Sequence, residues 1–213
     1  MKKVFLFDLD GVIFDTEHQY SALWQTLGSK YLPGVDGFEN KIKGQTLEQI
    51  FETYFPGMKE VQTSIIEEIN SLEKNMNYTY IPGFEHFIEN LRSKGFHAAV
   101  VTSSNLPKME QVYIQHPEFI DYFDRIFTSE DFTESKPHPQ CYLMSADYFK
   151  VTPEECIGFE DSINGLKSVR AAGMTAVALE TTNSRKEIAP LADLVIPHYK
   201  GLEFDDILKL IPS

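Results

Sequence analysis

Short apolar segments of β character recur along the chain at Val4–Phe7, His97–Val101, 125–128, 156–159 and Thr175–Leu179, with Leu194–Ile196 a weaker sixth. Between most of them lie stretches of helical length, such as 83–94, 139–149 and 165–172. This alternation predicts an α/β fold, a largely parallel sheet with helices on both faces. Ser93-Lys94-Gly95 and Ala172-Gly173-Met174 suit helix C-termini that return the chain to the sheet.

The rhythm breaks between the first segment and His97. From Thr16 to about Tyr80 no convincing strand occurs, whereas Tyr20, Leu23, Trp24 and Leu27 fall at helical spacing, as do Ile65, Ile66, Ile69 and Leu72. Two readings fit: a helical unit inserted into the sheet domain, or a long excursion whose helices pack on the sheet. The first gives a core of 1–15 plus 81–213 and a helical cap of 16–80.

The first strand ends oddly. FLFDLDG carries Asp8 and Asp10 directly after buried-strand residues, where an unpaired charge would be expensive. Side chains alternate in an extended chain, so both carboxylates point the same way, and Gly11 permits a sharp turn after them. They belong at the carboxyl ends of the strands, where open α/β sheets bind ligands. Other strand ends supply polar residues too: Thr102-Ser103-Ser104-Asn105, Glu160-Asp161-Ser162 and, past a short loop, Ser135-Lys136-Pro137-His138-Pro139. Oxygen-only carboxylate clusters favour Mg²⁺. A hydroxyl beside backbone N–H groups at a helix start suits phosphate, and a lysine neutralises charge on a phosphoryl group. Each piece has a bland counterpart (a solvated turn, an N-cap, a surface lysine), and only their joint occurrence carries weight. His138 reads as loop packing.

Composition narrows the partners. The 213 residues are 42% apolar and 24% charged, with 19 Lys and Arg against 32 Asp and Glu, a formal charge of -13. That balance argues against nucleic acid or an anionic membrane as partner. The apolar run after Met1-Lys2-Lys3 is too short for a signal sequence, and no stretch approaches membrane-spanning length. Cys141 and Cys156, with no CxxC, read as reduced thiols of a cytoplasmic protein.

Asp8-Leu-Asp10-Gly-Val, Thr102 after an apolar strand, Lys136-Pro-His-Pro and Gly158-Phe-Glu160-Asp161-Ser162 together resemble the motifs of the haloacid dehalogenase superfamily. Within it the chain is similar to the β-phosphoglucomutase-like branch of phosphatases and sugar-phosphate mutases. The resemblance spans nearly the whole chain and implies a Rossmann-like core with a helical cap inserted after the first strand. It implies that Asp8 is the nucleophile, forming an aspartyl-phosphate, and that Asp10 is the general acid and base. It assigns Mg²⁺ to Asp8, the Asp10 backbone carbonyl and Asp161, with Glu160 ligating directly or through water. Thr102, the Ser103 backbone N–H and Lys136 would grip the phosphoryl oxygens.

For specificity the resemblance points to the cap: Lys43-Gly44-Gln45-Thr46 as the substrate-facing loop, Lys74 near the return linker, and Thr16 touching the leaving group. Lys43 and Lys74 read equally well as solvated helix lysines. Leu47 stands near where the sugar mutase has a phosphate-gripping arginine, and Tyr20 where it has a histidine; His18 is two positions away on another side of the helix. Leucine cannot replace arginine's bidentate fork.

The expectation is therefore a Mg²⁺-dependent phosphomonoesterase acting on a small sugar or polyol phosphate, as monomer or weak dimer. The alternative is a β-phosphoglucomutase interconverting β-glucose 1-phosphate and glucose 6-phosphate. A non-enzymatic binding protein would be expected to have lost one of the acidic motifs, and none is lost; haloacid dehalogenation does not need them all. The cap is expected to close over the substrate, hinged near 14–16 and 80–83.

Overall fold

The computed structural model describes residues 4–42, 45–202 and 204–209. Its strands are β1 (Val4–Phe7), β2 (His97–Val101), β3 (Arg125–Phe127), β4 (Cys156–Glu160), β5 (Thr175–Leu179) and β6 (Leu194–Ile196). They form one six-stranded parallel sheet in the order β3-β2-β1-β4-β5-β6. β1 is central, and connections leave it toward opposite edges, which opens a crevice at the carboxyl end of β1.

The described helices are α1 (Glu17–Tyr31), α2 (Phe38–Lys41), α3 (Leu47–Tyr54), α4 (Lys59–Asn75), α5 (Phe84–Ser93), α6 (Leu106–Gln115), α7 (Gln140–Tyr148), α8 (Ile163–Ala171), α9 (Arg185–Ile188) and α10 (Phe204–Lys209). Strand alternation sorts the core into two layers. Phe5, Phe7, Ile157 and Phe159 join Phe84 and Phe87 of α5, Met109 of α6 and Phe204 of α10 on one face. Val4, Leu6, Cys156 and Ala178 join Tyr142 of α7, Val169 of α8 and Ile188 of α9 on the other. Cys141 and Cys156 are buried and form no disulfide.

Helices α1 to α4 form the inserted cap around a third cluster of Trp24, Leu27, Phe38, Ile50, Phe55 and Ile65. Ile65 is buried within it, whereas Ile66, expected on the same stripe, is 41% exposed. The chain leaves and re-enters the core through two adjacent segments. Asp15 N–H donates to the Thr79 carbonyl (2.8 Å) and Ile81 N–H to the Ile13 carbonyl (2.8 Å). Between them the Phe14 and Tyr80 rings stack at 4.8 Å.

Two strand ends depart from the sequence reading. β3 stops at Phe127 because Thr128 N–H turns to Asp131 Oδ2 (2.9 Å) and caps a tight turn. β4 runs one residue further, through Glu160, because buried partners meet that carboxylate. No helix among the described residues is long and apolar enough to cross a membrane.

Candidate active site

Parallel pairing sets Phe7 beside Val100 and Phe159, so Asp8 emerges level with the ends of β2 and β4. Asp8 N–H extends the ladder to the Phe159 carbonyl (3.0 Å). Asp8 shares the parity of Leu6, and Glu160 that of Gly158, so both carboxylates look toward the α7 side of the sheet. The loop before α7 delivers Lys136 there. Its side chain is 9% exposed, and Nζ donates to Asp8 Oδ1 (2.7 Å), Glu160 Oε1 (2.7 Å) and the Val101 carbonyl (2.9 Å). An ammonium has three donors, and all three are used.

Glu160 is wholly buried and also accepts from Tyr142 Oη (2.7 Å) and, more weakly, from Ser162 Oγ (3.3 Å). The start of α8 presses on it: a Cβ on Gly165 would lie 2.0 Å from Glu160 Oε2. Gly11 has φ +70°, and a Cβ there would lie 2.0 Å from Asp161 Oδ2, so only glycine lets the turn after Asp10 reach this acid. Asp161 accepts from the Thr182 hydroxyl, and its carbonyl from Asn183 Nδ2 (3.0 Å).

The acids respond to this crowding. Burial pushes Asp8 up to about 7; Lys136 opposes the rise and Glu160 adds to it. Burial, with the charges of Asp8 and Glu160, raises Asp161 well above the carboxylate range. Asp10 differs. Burial opposes its ionisation, but the charge and hydrogen bond of Lys108, with hydrogen bonds from Thr16 and Ser104, outweigh it and hold Asp10 below its ordinary value. The distances are 2.5 Å for Lys108 Nζ to Oδ2, 2.6 Å for Thr16 Oγ1 to Oδ1 and 3.1 Å for Ser104 Oγ to Oδ2.

Asp8, Glu160 and Asp161 each bring a carboxylate oxygen within 4.8 Å of the others. Three carboxylates this close, with Asp8 and Asp161 raised by burial and by their neighbours' charge, fit a hard divalent cation such as Mg²⁺. Above them lies a cavity of about 520 Å³, lined by Asp8, Asp10, Asp161, Thr102, Ser103 and Lys136 at its floor and by cap residues opposite.

The cap-side expectations fare unevenly. Gln45 and Thr46 line the cavity, but both have local commitments. Gln45 Nε2 donates to the Lys41 carbonyl (2.8 Å), and Thr46 forms a reciprocal cap with Gln49 at the start of α3. Lys43 lies outside the described residues. Lys74 lines a neighbouring groove with Asn70, Pro107 and Glu110 rather than the cavity holding Asp8. Thr16, expected at the leaving group, is wholly buried, and its hydroxyl is spent on Asp10. His138 belongs to the loop packing: its carbonyl accepts from Ser168 Oγ (2.7 Å).

Sequence reasoning passed over Lys108, Tyr142 and Thr182. A signal existed for Lys108. It is the third residue of α6 behind the N-cap Asn105, where a cation opposes the helix dipole and needs a compensating anion. Tyr142 sits on a helix face indistinguishable from ordinary core. Thr182 belongs to a polar run after β5 like those after β2 and β4.

Residues 5–179 match the family described as haloacid dehalogenase-like hydrolase. Hexitol phosphatase B of Escherichia coli strain K12 is 26% identical over 217 residues, 95% of each chain. The β-phosphoglucomutase of Bacillus subtilis strain 168 is 26% identical over 191 residues, 83% of each chain. A haloacid dehalogenase-type hydrolase from Entamoeba histolytica, 19% identical, superposes over 100% of both chains with a TM-score of 0.83. With the matched stretch running from β1 to β5 and holding every acid of the cavity floor, the chain belongs to the haloacid dehalogenase-like hydrolases and is a phosphoryl-transfer enzyme of that family.

Proposed function

We propose that this protein is a Mg²⁺-dependent phosphomonoesterase acting on a small sugar or polyol phosphate through an aspartyl-phosphate on Asp8. The observation that carries the reading is the union of Asp8, Lys136 and Asp161 beneath a cavity that Asp10 also enters. Asp8 attacks phosphorus and the ester P–O bond breaks; Asp10, ionised while Lys108 faces it, takes up a proton from solvent as the substrate binds and passes it to the departing oxygen. Asp10 then takes a proton from the water that attacks the same phosphorus, releasing phosphate and restoring Asp8. Lys136 and Thr102 neutralise and hold the phosphoryl oxygens.

Asp8, Asp161 and the Asp10 backbone carbonyl would hold the metal, with Glu160 braced behind them by Lys136 and Tyr142. When bound, Mg²⁺ offsets the repulsion between the Asp8 carboxylate and a phosphate dianion. The cap closes over residues 1–15 and 81–213 as a unit of 16–80.

Hydrolysis is favoured over the mutase alternative by the cap side of the cavity. The described residues there include Glu17, Glu48 and Glu73, with Leu47 where a phosphate-gripping arginine would be wanted. Among the described residues that line the cavity none from the cap is a cation, and Lys108, which reaches it from α6 of the core, is already bonded to Asp10 and Tyr20. A mutase must accept a bisphosphate in two orientations, and carboxylates facing its second phosphate would repel it. Similarity to a hexitol phosphatase supports a polyol phosphate. A panel of phosphorylated metabolites, monitored for phosphate release and for conversion of β-glucose 1-phosphate to glucose 6-phosphate, tests the reading. Isomerisation outrunning phosphate release would overturn it.

A further inference from the structure

The polar run after β5 is anchored at both ends. Glu180 N–H donates to the Ile196 carbonyl of β6 (2.9 Å). Ser184 N–H and hydroxyl both donate to Glu187 Oε2 (3.0 and 2.6 Å) at the start of α9. Between these anchors stand Thr181, Thr182 and Asn183, and all three side chains reach back toward the ends of β1 and β4. Thr181 Oγ1 donates to the Gly11 carbonyl (2.6 Å), Thr182 Oγ1 to Asp161 Oδ2, and the buried Asn183 Nδ2 to the Asp161 carbonyl (3.0 Å). Thr182 also lines the catalytic cavity. A Cβ on Gly11 would lie 3.0 Å from its hydroxyl, so turn, acid and hydroxyl pack against one another.

The run thus grips two places assigned above to the cation. Gly11 directly follows the Asp10 carbonyl, and Asp161 is held by both its backbone and its carboxylate. Partners of this kind orient the groups that ligate a metal. A three-residue span with fixed ends has little freedom, so it sets the separation between the β1 turn and the acid after β4. Separation and carboxylate mode are what distinguish the two common hard cations. Mg²⁺ demands a near-ideal octahedron at about 2.1 Å, whereas Ca²⁺ takes more oxygens at longer range and readily accepts both oxygens of one carboxylate. A hydroxyl seated on Asp161 Oδ2 opposes the two-oxygen mode, and a pinned turn opposes expansion.

We propose that Thr181, Thr182 and Asn183 form a gauge that tunes the site to Mg²⁺ against the larger Ca²⁺, with Thr182 as the positioning residue that acts through Asp161. This role rests on the Mg²⁺ reading above. It predicts a loss of discrimination between ions, which a residue that only supported the fold would not produce.

The test titrates the metal-stripped full chain with MgCl₂ and, separately, with CaCl₂ by calorimetry. Thr182→Val, which removes the hydroxyl and keeps the shape, should weaken Mg²⁺ binding by about 10- to 100-fold and Ca²⁺ binding by at most about threefold. Thr182→Ser restores the hydroxyl and should return the wild-type ratio. Thr181→Val, which frees the Gly11 carbonyl alone, should narrow the ratio by roughly threefold. Thermal unfolding of the metal-free variants accompanies the titrations, and Thr181→Val carries the test if Thr182→Val fails to fold. In phosphate-release assays the Mg²⁺ concentration for half-maximal rate should rise with the loss of affinity, while kcat at saturation falls less. Unchanged Mg²⁺ affinity in Thr182→Val, equal losses for the two ions, or a Ser variant as weak as the Val variant would overturn the gauge and leave the Mg²⁺ reading intact. Wild-type protein that binds no Mg²⁺, or whose affinity survives Asp161→Asn, would overturn that reading and the gauge with it.

Discussion

The floor of the cavity and its roof are built on different principles. On the floor the charged groups share partners in one network: Lys136 meets three acceptors, the buried Glu160 three donors, and the half-buried Asp10 three donors. On the roof Gln45, Thr46 and Leu47 sit half-exposed at the start of a short helix, their polar atoms engaged with their own turn. A network with so many shared partners has one arrangement, whereas a helix end carrying half-exposed side chains tolerates substitution. On the proposed function, chemistry would reside in the networked half and choice of substrate in the adaptable half.

The difference breaks most visibly at Asp8. Asp8→Asn should reduce phosphate release below about 10⁻⁴ of wild type, since the amide cannot form the acyl-phosphate. Mass spectrometry of quenched wild-type turnover should find the adduct on Asp8, and an adduct on Asp10 would exchange their roles. Asp10→Asn should slow turnover by about 10²–10⁴-fold with Mg²⁺ affinity retained, as calorimetry would register.

Lys136→Met isolates stability from chemistry. It strands Asp8 and Glu160 as buried charges without their cation, so denaturant unfolding should show a loss of about 3–5 kcal/mol. Adding Glu160→Gln should return part of it. A loss under 1 kcal/mol would mean that water screens this floor far better than its burial implies.

Metal binding offers a subtler probe. Asp8, pushed up to about 7, and Asp161, raised further, retain protons that Mg²⁺ must displace. Mg²⁺ affinity should therefore rise with pH through about 7, by up to roughly tenfold per unit for each proton released. Stability has the matching sign. A carboxyl whose folded pKa lies above its unfolded value favours the fold at low pH, and that contribution is lost as pH climbs through the folded value. The metal-free protein should lose Tm between about pH 5 and pH 8, and the gain in Tm on adding Mg²⁺ should be larger at the upper end. An equal gain at both would deny that the cation sits on these two acids.

The smallest effect belongs to the roof. Thr46→Ala should cost about 1 kcal/mol by removing the cap of α3 and change KM a few-fold with kcat held. A large fall in kcat would erase the distinction between the two halves.

How much of this the sequence disclosed follows the same line. Strand ends rich in acids and hydroxyls are anomalies against an apolar background, so Asp8, Asp10, Thr102, Lys136, Glu160 and Asp161 stand out in the sequence alone. The missing information concerned neighbours distant in sequence. Sequence alone ends the strand before Glu160 because a carboxylate in a strand is costly; the compensation comes from Lys136 and Tyr142, 24 and 18 residues away. Thr16 points to the leaving group in sequence because nothing local marks Asp10, six residues back across the turn, as its partner. The resemblance brings Lys74 toward the substrate, with a solvated helix lysine as the equal alternative, and in the structure it lines a different groove from α4. Lys108 left only the weak trace of a cation at the wrong end of a helix.

The paired crossing segments at Phe14 and Tyr80 have a consequence for how such a protein can change over evolutionary time. An excursion that begins and ends at one hydrogen-bonded pair leaves the sheet's chain path the same whatever it contains, and each doubling of its length costs only about 0.6 kcal/mol of closure entropy. The insert behaves as a cassette. Recombination at 16 and 80 would bring a new roof to an old floor, provided that the incoming segment refills the places that Met76 and Tyr78 hold beside Ile81 in the sheet core.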